Sequence, residues 1–299
     1  MKTLSIGYFA DGPWSHKAFE LIIKDPNINV KFIAPRKDTK DEVLRNFAES
    51  NGIDYLFPVN INSSDFISRA KEYDCDLFVS MSFNQIFKKE ILLVPKLGVI
   101  NCHAGSLPFY RGRNVLNWVL INDEKEFGIT VHFVDEGIDT GDIIQQKKFP
   151  ITDNDDYGTI LALAHTECAK VLFETLKSIR DNNYSRRKQS EIHPVGFYCG
   201  GRTVGDEIIN WNQTSRDIFN FVRAVSNPGP MATAFKNKQK ITFNKSKMIL
   251  DAPNYKGTNG QILSKTKSGY IVKTLDSTIE IYEINTDAKL SIGDVLEGK

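Results

Sequence analysis

Short apolar runs alternate with amphipathic, helix-period segments from the N-terminus to about residue 180. Thr3–Phe9 reads as a buried strand; a Gly12-Pro13 turn follows, then a helix from about His16 to Lys24. Val30–Ala34, Tyr55–Val59, Leu77–Met81 and Val99–Cys102 are predicted as further strands. Between them, helices are expected over 38–51, where Thr39 precedes Asp41 and Glu42, and over 63–73, where Ser63-Ser64-Asp65 makes an N-cap cluster. A short helix is expected over 88–92. Repeated βα units imply a mostly parallel sheet with helices on both faces. In such sheets ligands sit beyond the carboxyl ends of the strands, near a reversal of strand order. A long helix from about Tyr157 to Asn182 carries Ile160, Leu163, Ala164, Val171, Leu172 and Leu176 at helical spacing.

After Asn182-Asn183 the pattern changes. Ser185-Arg186-Arg187-Lys188-Gln189 is basic and reads as a solvated connector. A helix over 214–226 stops at Asn227-Pro228-Gly229-Pro230. From Ala232 onward, short β-rich runs (240–243, 247–250, 260–264, 270–274 and 278–284) alternate with turns, the pattern of a small barrel. The expected organisation is an α/β domain over 1–184, a linker and helix over 185–230, and a small β domain over 231–299.

Composition narrows the function classes. A 41% hydrophobic share supports a sizeable core, and a formal charge of +1 gives no sign of an extended basic surface, so no nucleic-acid partner is expected. Cys75, Cys102, Cys168 and Cys199 are scattered without a CxxC pair, which predicts reduced thiols and no metal site. The opening MKTLSIGYFADG is too short an apolar run for a signal peptide, and nothing approaches transmembrane length; a cytoplasmic chain without membrane contact is expected. Gly7 to Gly12 lacks both the GxGxxG spacing of a dinucleotide site and a Walker lysine.

The candidate chemistry lies between Val99 and Asp142. Asn101 and His103 are two residues apart, so on an extended strand they project to one face. A loop with Gly105, Pro108, Arg111, Gly112 and Arg113 follows, then a strand Ile129–Val134 and an acidic turn, Ile138-Asp139-Thr140-Gly141-Asp142. An amide, an imidazole and a carboxylate on converging strand ends suit proton transfer and oxyanion stabilisation. His132, inside a strand, reads as structural. Gly12 and Trp14, at a helix start, are candidates for an acceptor phosphate, or equally an ordinary tight turn with Trp14 packed on a neighbour.

Asn101-x-His103, the SLPFYRG loop and Ile138-Asp139-Thr140-Gly141 resemble the catalytic signature of folate-dependent formyltransferases. Tyr110–Arg113, Leu116–Leu120 and Gly128–His132 are most similar to the sugar-nucleotide members, in particular the UDP-aminoarabinose formyltransferase. The resemblance implies a Rossmann-like formyltransferase domain with a C-terminal OB-like barrel, and 10-formyltetrahydrofolate as formyl donor. It implies Asn101, His103 and Asp139 as the catalytic trio, with the choice of base between His103 and Asp139 open. The folate is expected against Met81, Phe83, Ile86, Val134, Asp135, Gly137 and Ile138. Among sugar formyltransferases the acceptor is an amino-deoxy sugar on UDP or dTDP, which Arg111, Arg113 and Asn114 are expected to meet, with a loop-bracing role as the alternative for Arg111. A surface-glycan role follows from that resemblance, with homo-oligomerisation open and methionyl-tRNA formyltransferase or a non-catalytic binding module as alternatives.

Overall fold

Seven strands form the first sheet of the computed structural model, which describes residues 2–299. They are β1 (Leu4–Ala10), β2 (Ile28–Pro35), β3 (Asp54–Tyr55), β4 (Leu77–Met81), β5 (Val99–His103) and, after a two-residue β6 (Arg111–Gly112) outside the sheet, β7 (Glu126–Phe133) and β8 (Ile143–Pro150). Their spatial order is β3-β2-β1-β4-β5-β7-β8. The strands from β1 to β5 pair in parallel, and β7 runs antiparallel to β5. Sequence order reverses between β1 and β4, so their carboxyl ends flank the switch point. The predicted strand over 55–59 shrinks to Asp54–Tyr55, because it lies at the sheet edge and Pro58 has no N–H for a ladder.

The interior of β1, β2 and β4 is almost wholly buried, which is why these strands read as continuous apolar runs. Phe9 sits among Phe32, Phe78, Phe83 and Phe87 at centroid distances of 5.1–5.6 Å. Gly7 lets the Phe32 ring lie flush on β1, since a Cβ there would come within 2.4 Å of it. The helices of this region are α1 (Gly12–Ile22), α2 (Glu42–Asn51), α3 (Ser64–Glu72) and α4 (Lys89–Leu92). As the sequence suggests, Ser63 caps α3 through Phe66 N–H. Helix α2 starts later than predicted: Asp41 accepts from Leu44 N–H as its cap, while the Thr39 hydroxyl donates to Asp11 instead.

The remaining elements are α5 (Val115–Ile121), α6 (Tyr157–Arg180), a 3-10 turn at Gln189–Glu191, β9 (Tyr198–Cys199), α7 (Ser215–Val225), β10 (Ala232–Lys236), β11 (Gln239–Met248), β12 (Ile262–Lys265), β13 (Gly269–Lys273) and β14 (Thr278–Asn285). The chain divides into two units: the first comprises residues up to Gly112, Phe127–Phe149 and Ala162–Cys199, the second Arg113–Glu126, Pro150–Leu161 and Gly200–Lys299. The segment expected as a connector over 185–230 is thus split, with 185–199 in the first unit.

In the second unit, five antiparallel strands follow the order β10-β11-β14-β13-β12, with the runs at 240–243 and 247–250 merged into β11. Residues near the C-terminus bridge the two edge regions: Phe235 pairs with Glu297 and Gln261 with Val295, so the sheet curls toward closure. Helix α7 buries Ile218, Phe219, Val222 and Val225 in this core. Asn117 Nδ2 on α5 donates to Ala224 O at 2.6 Å, and Arg216 joins Asp123 to Asp153, which is why 113–126 and 150–161 belong here. Among the described residues no helix is long and apolar enough to cross a membrane, and no group of three or more His, Cys, Asp or Glu could hold a metal ion.

Candidate active site

Strand β5 ends in Asn101-Cys102-His103, and its pairing with β7 sets Asn101 opposite His132 and His103 opposite Thr130. Alternation therefore puts Asn101, His103 and His132 on one face. His103 is buried, and its Nε2 stands 2.7 Å from Tyr110 O. A carbonyl only accepts, so Nε2 carries a proton and Nδ1 is the nitrogen left to gain or lose one. That Nδ1 faces Asp139 Oδ2 at 3.7 Å. The loop after β5 folds back over the ring because Thr130 Oγ1 donates to Gly105 O at 2.6 Å. Gly105 is required by this approach, since a Cβ would lie 2.5 Å from both His103 Nε2 and Tyr110 O.

Asp139 reaches the cluster from the 134–142 loop. Its Oδ2 accepts from Gly112 N–H at 2.8 Å, and its Oδ1 lies 3.4 Å from His132 Nε2. Burial alone would raise its pKa, but the His103 and His132 imidazoles and the Gly112 N–H win and hold the carboxyl well below its ordinary range. His132, expected to be structural, is buried as a strand residue yet lies within the cluster: its Nδ1–H donates to Phe133 O at 2.7 Å, and its Nε2 is 3.3 Å from Asn101 Nδ2. Gln189, in the basic segment expected to be a solvated connector, is instead buried and joins this loop to Arg111. Single-residue periodicity carries no signal for such a long-range clasp.

The expected acceptor contacts fare differently. Gly12 N–H donates to Asp41 Oδ2 at 2.7 Å, and His16 Nε2 meets the same carboxylate at 2.7 Å, so a protein anion already occupies the start of α1. Trp14 packs edge-on against His165 at 4.3 Å. These contacts correct the phosphate reading of Gly12 and Trp14 and agree with its alternative, a tight turn with Trp14 packed on a neighbour. The Arg111 guanidinium donates to Gln189 Oε1 from Nε and Nη2 at 3.1 and 2.7 Å and lies over Tyr198, so of its two expected roles the structure has it bracing its loop and not free for a phosphate. Arg113 is exposed, and Asn114 Oδ1 accepts from Arg202 N–H at 2.9 Å, which satisfies the oxygen that was expected to face the acceptor.

The wall expected for a folate is largely apolar. Phe83 and Val134, both half-buried, pack on the same core cluster, while Ile86 and Ile138 expose 62% and 53% of their surface. Such surfaces fit a flat, conjugated ring system. The Met81 side chain adds no surface to it, being buried with its sulfur against the Tyr8 hydroxyl. Asp135 is committed to its own turn, accepting from Gly137 N–H and the Thr140 hydroxyl.

Comparison with known proteins bears on this geometry. The formyl transferase family model matches residues 24–176, and the formyl transferase C-terminal domain model matches 203–299. The methionyl-tRNA formyltransferase of Acetivibrio thermocellus is 34% identical over 252 residues, covering 84% of this chain and 80% of that protein. That of Halothermothrix orenii is 31% identical over 301 residues, covering 97% and 94%. The N-formyltransferase from Helicobacter canadensis, crystallised with folinic acid and dTDP-3-aminofucose, shares the fold with a TM-score of 0.70 at 23% identity over 95% of this chain and 100% of its own. The expectation of a nucleotide-sugar acceptor, a glycan role and no nucleic-acid partner is corrected by the methionyl-tRNA formyltransferase relatives at 31–34% identity. The motif blocks that suggested a sugar lie inside the 24–176 span that the formyl transferase model matches, so they mark the family and not its acceptor. Net charge failed as a guide because it sums the whole chain, whereas a nucleic acid meets only local surface.

Proposed function

This chain belongs to the formyl transferase family, and from that premise we propose that it moves the formyl group of 10-formyltetrahydrofolate to the amine of methionyl-tRNA. The observation that carries the reading is similarity through both units to methionyl-tRNA formyltransferases, 31% identity over 97% of this chain in one case. The bound folate supplies an activated one-carbon acyl group; this chain's residues do the rest. Asn101 has two N–H bonds, of which one is directed to His132, leaving the other for the formyl oxygen as negative charge develops there. His103 Nδ1 takes the proton that the amine releases as its C–N bond forms, and returns it to the folate nitrogen as the old C–N bond breaks. Asp139, held well below the usual carboxylate range, is too weak a base at neutral pH for that task. Its charge instead steadies the imidazolium across 3.7 Å.

The test is formyl transfer from 10-formyltetrahydrofolate to charged initiator tRNA, with His103→Ala as the control. Formylmethionyl-tRNA should accumulate with the native protein and fall by about 100-fold or more with the variant. Transfer to small amines while charged tRNA stays unmodified overturns the acceptor assignment.

A further inference from the structure

The geometry points to Gln189 as a positioning residue that holds the Asp139 carboxylate at its working distance from His103. Its amide uses its full bonding capacity. Oε1 accepts two N–H bonds from Arg111, at 3.1 and 2.7 Å, and Nε2 donates to Asp139 O and Gly141 O, each at 2.8 Å. The side chain is 4% exposed, so these are bonds made away from competing water.

The position of those two carbonyls is what matters. Asp139 has φ +54, in the left-handed region where a non-glycine residue persists only when its surroundings hold it. At Gly141 a Cβ would come within 2.0 Å of Phe133 O, so the backbone there is pressed against the end of β7. Gln189 ties both carbonyls, two residues apart, to one amide plane. The opposite end of that amide grips Arg111, whose chain neighbour Gly112 donates its N–H to Asp139 Oδ2. Gly112 itself has φ +92, and a Cβ there would meet Cys199 O at 2.5 Å, so only glycine fits beside β9 at the donor position. A closed circuit results: Gln189 to the Asp139 backbone, the Asp139 side chain to Gly112, and Arg111 back to Gln189. Breaking it at Gln189 frees Asp139 to turn away from His103 with no group on the catalytic face removed.

The catalytic half of this inference rests on the roles of His103 and Asp139 given above; the structural half does not. Two variants separate the bonds. Gln189→Met keeps the length and deletes all four hydrogen bonds; Gln189→Glu keeps the acceptor for Arg111 but turns an anion toward the two carbonyls. Both are expected to lower kcat for formyl transfer by about 10- to 100-fold, the size of effect a displacement of about 1 Å produces, with KM for the folate changing less than about threefold. Independently of any acceptor, the Gly112 amide proton, shifted downfield by its bond to a carboxylate, should move upfield in both variants in an NMR spectrum of the free protein. Wild-type kcat in Gln189→Glu overturns the proposal, as does a fall in kcat with the Gly112 resonance unmoved. If the native protein formylates no acceptor, the functional reading fails alone, and the Gly112 resonance still decides whether Gln189 holds Asp139.

Discussion

One carboxylate, Asp139, stands beside two imidazoles, 3.7 Å from His103 and 3.4 Å from His132. Because Tyr110 O keeps a proton on His103 Nε2, the exchangeable position is Nδ1, and the Gly112 N–H aims Asp139 at it. Neither bond involves a side chain other than the trio itself, so neither leaves a mark in residue type. Asn101 makes no such choice: its amide stands half-buried with its nitrogen 3.3 Å from His132 Nε2. Asn101→Ala should lower kcat by about 100- to 1000-fold while leaving folate affinity within a few-fold, as loss of an oxyanion donor does. Single-turnover kinetics beside a folate binding isotherm would separate the two; equal losses in both would assign Asn101 to binding.

Elements place these residues through their ends. Strand β5 stops at His103 where Gly105 allows the chain to double back, and β6 is held by its two-residue pairing with β9. In the second unit the start of α7 is set locally: Thr214 and Asp217 form a reciprocal capping box. Thr214→Ala should destabilise the protein by about 1 kcal/mol, read as a shifted midpoint in urea unfolding with an unchanged slope. Asp217 also meets the Thr214 hydroxyl, so a null effect would mean that Arg216, bound to Asp123 and Asp153, anchors the helix start without the cap.

Across the whole chain, acid sensitivity has identifiable sources. Asp41, Asp123 and Asp139 all have depressed pKa values: for Asp41 and Asp139 the hydrogen bonds and imidazole neighbours outweigh burial, and for Asp123 the Arg216 guanidinium leads. Each binds its proton more weakly folded than unfolded, so its stabilisation is complete above the ordinary value of 3.8 and is lost as pH falls through the lower folded value. The thermal midpoint should therefore hold down to about pH 4 and fall progressively below it, and Asp139→Asn should flatten that slope. Calorimetric melts of both proteins across the range check it; parallel slopes would show that Asp139 does not contribute.

Amino-acid order by itself determined the succession of strands and helices from β1 to β5, the Ser63 cap and the placing of Asn101 and His103 on one strand face. These rest on properties of neighbouring residues: apolar runs, cap chemistry, and a two-residue spacing that shares one face of a strand. Tertiary structure alone decided the rest. It showed that Asp41 fills the start of α1, that Arg111 is spent on Gln189, that His132 turns toward Asp139, and that 185–199 folds back on the first unit. The physical reason is sequence separation. Gln189 and Asp139 are 50 residues apart and Gly112 and Asp139 are 27 apart, and they meet through backbone N–H and C=O groups that every residue carries, so no residue type announces the contact.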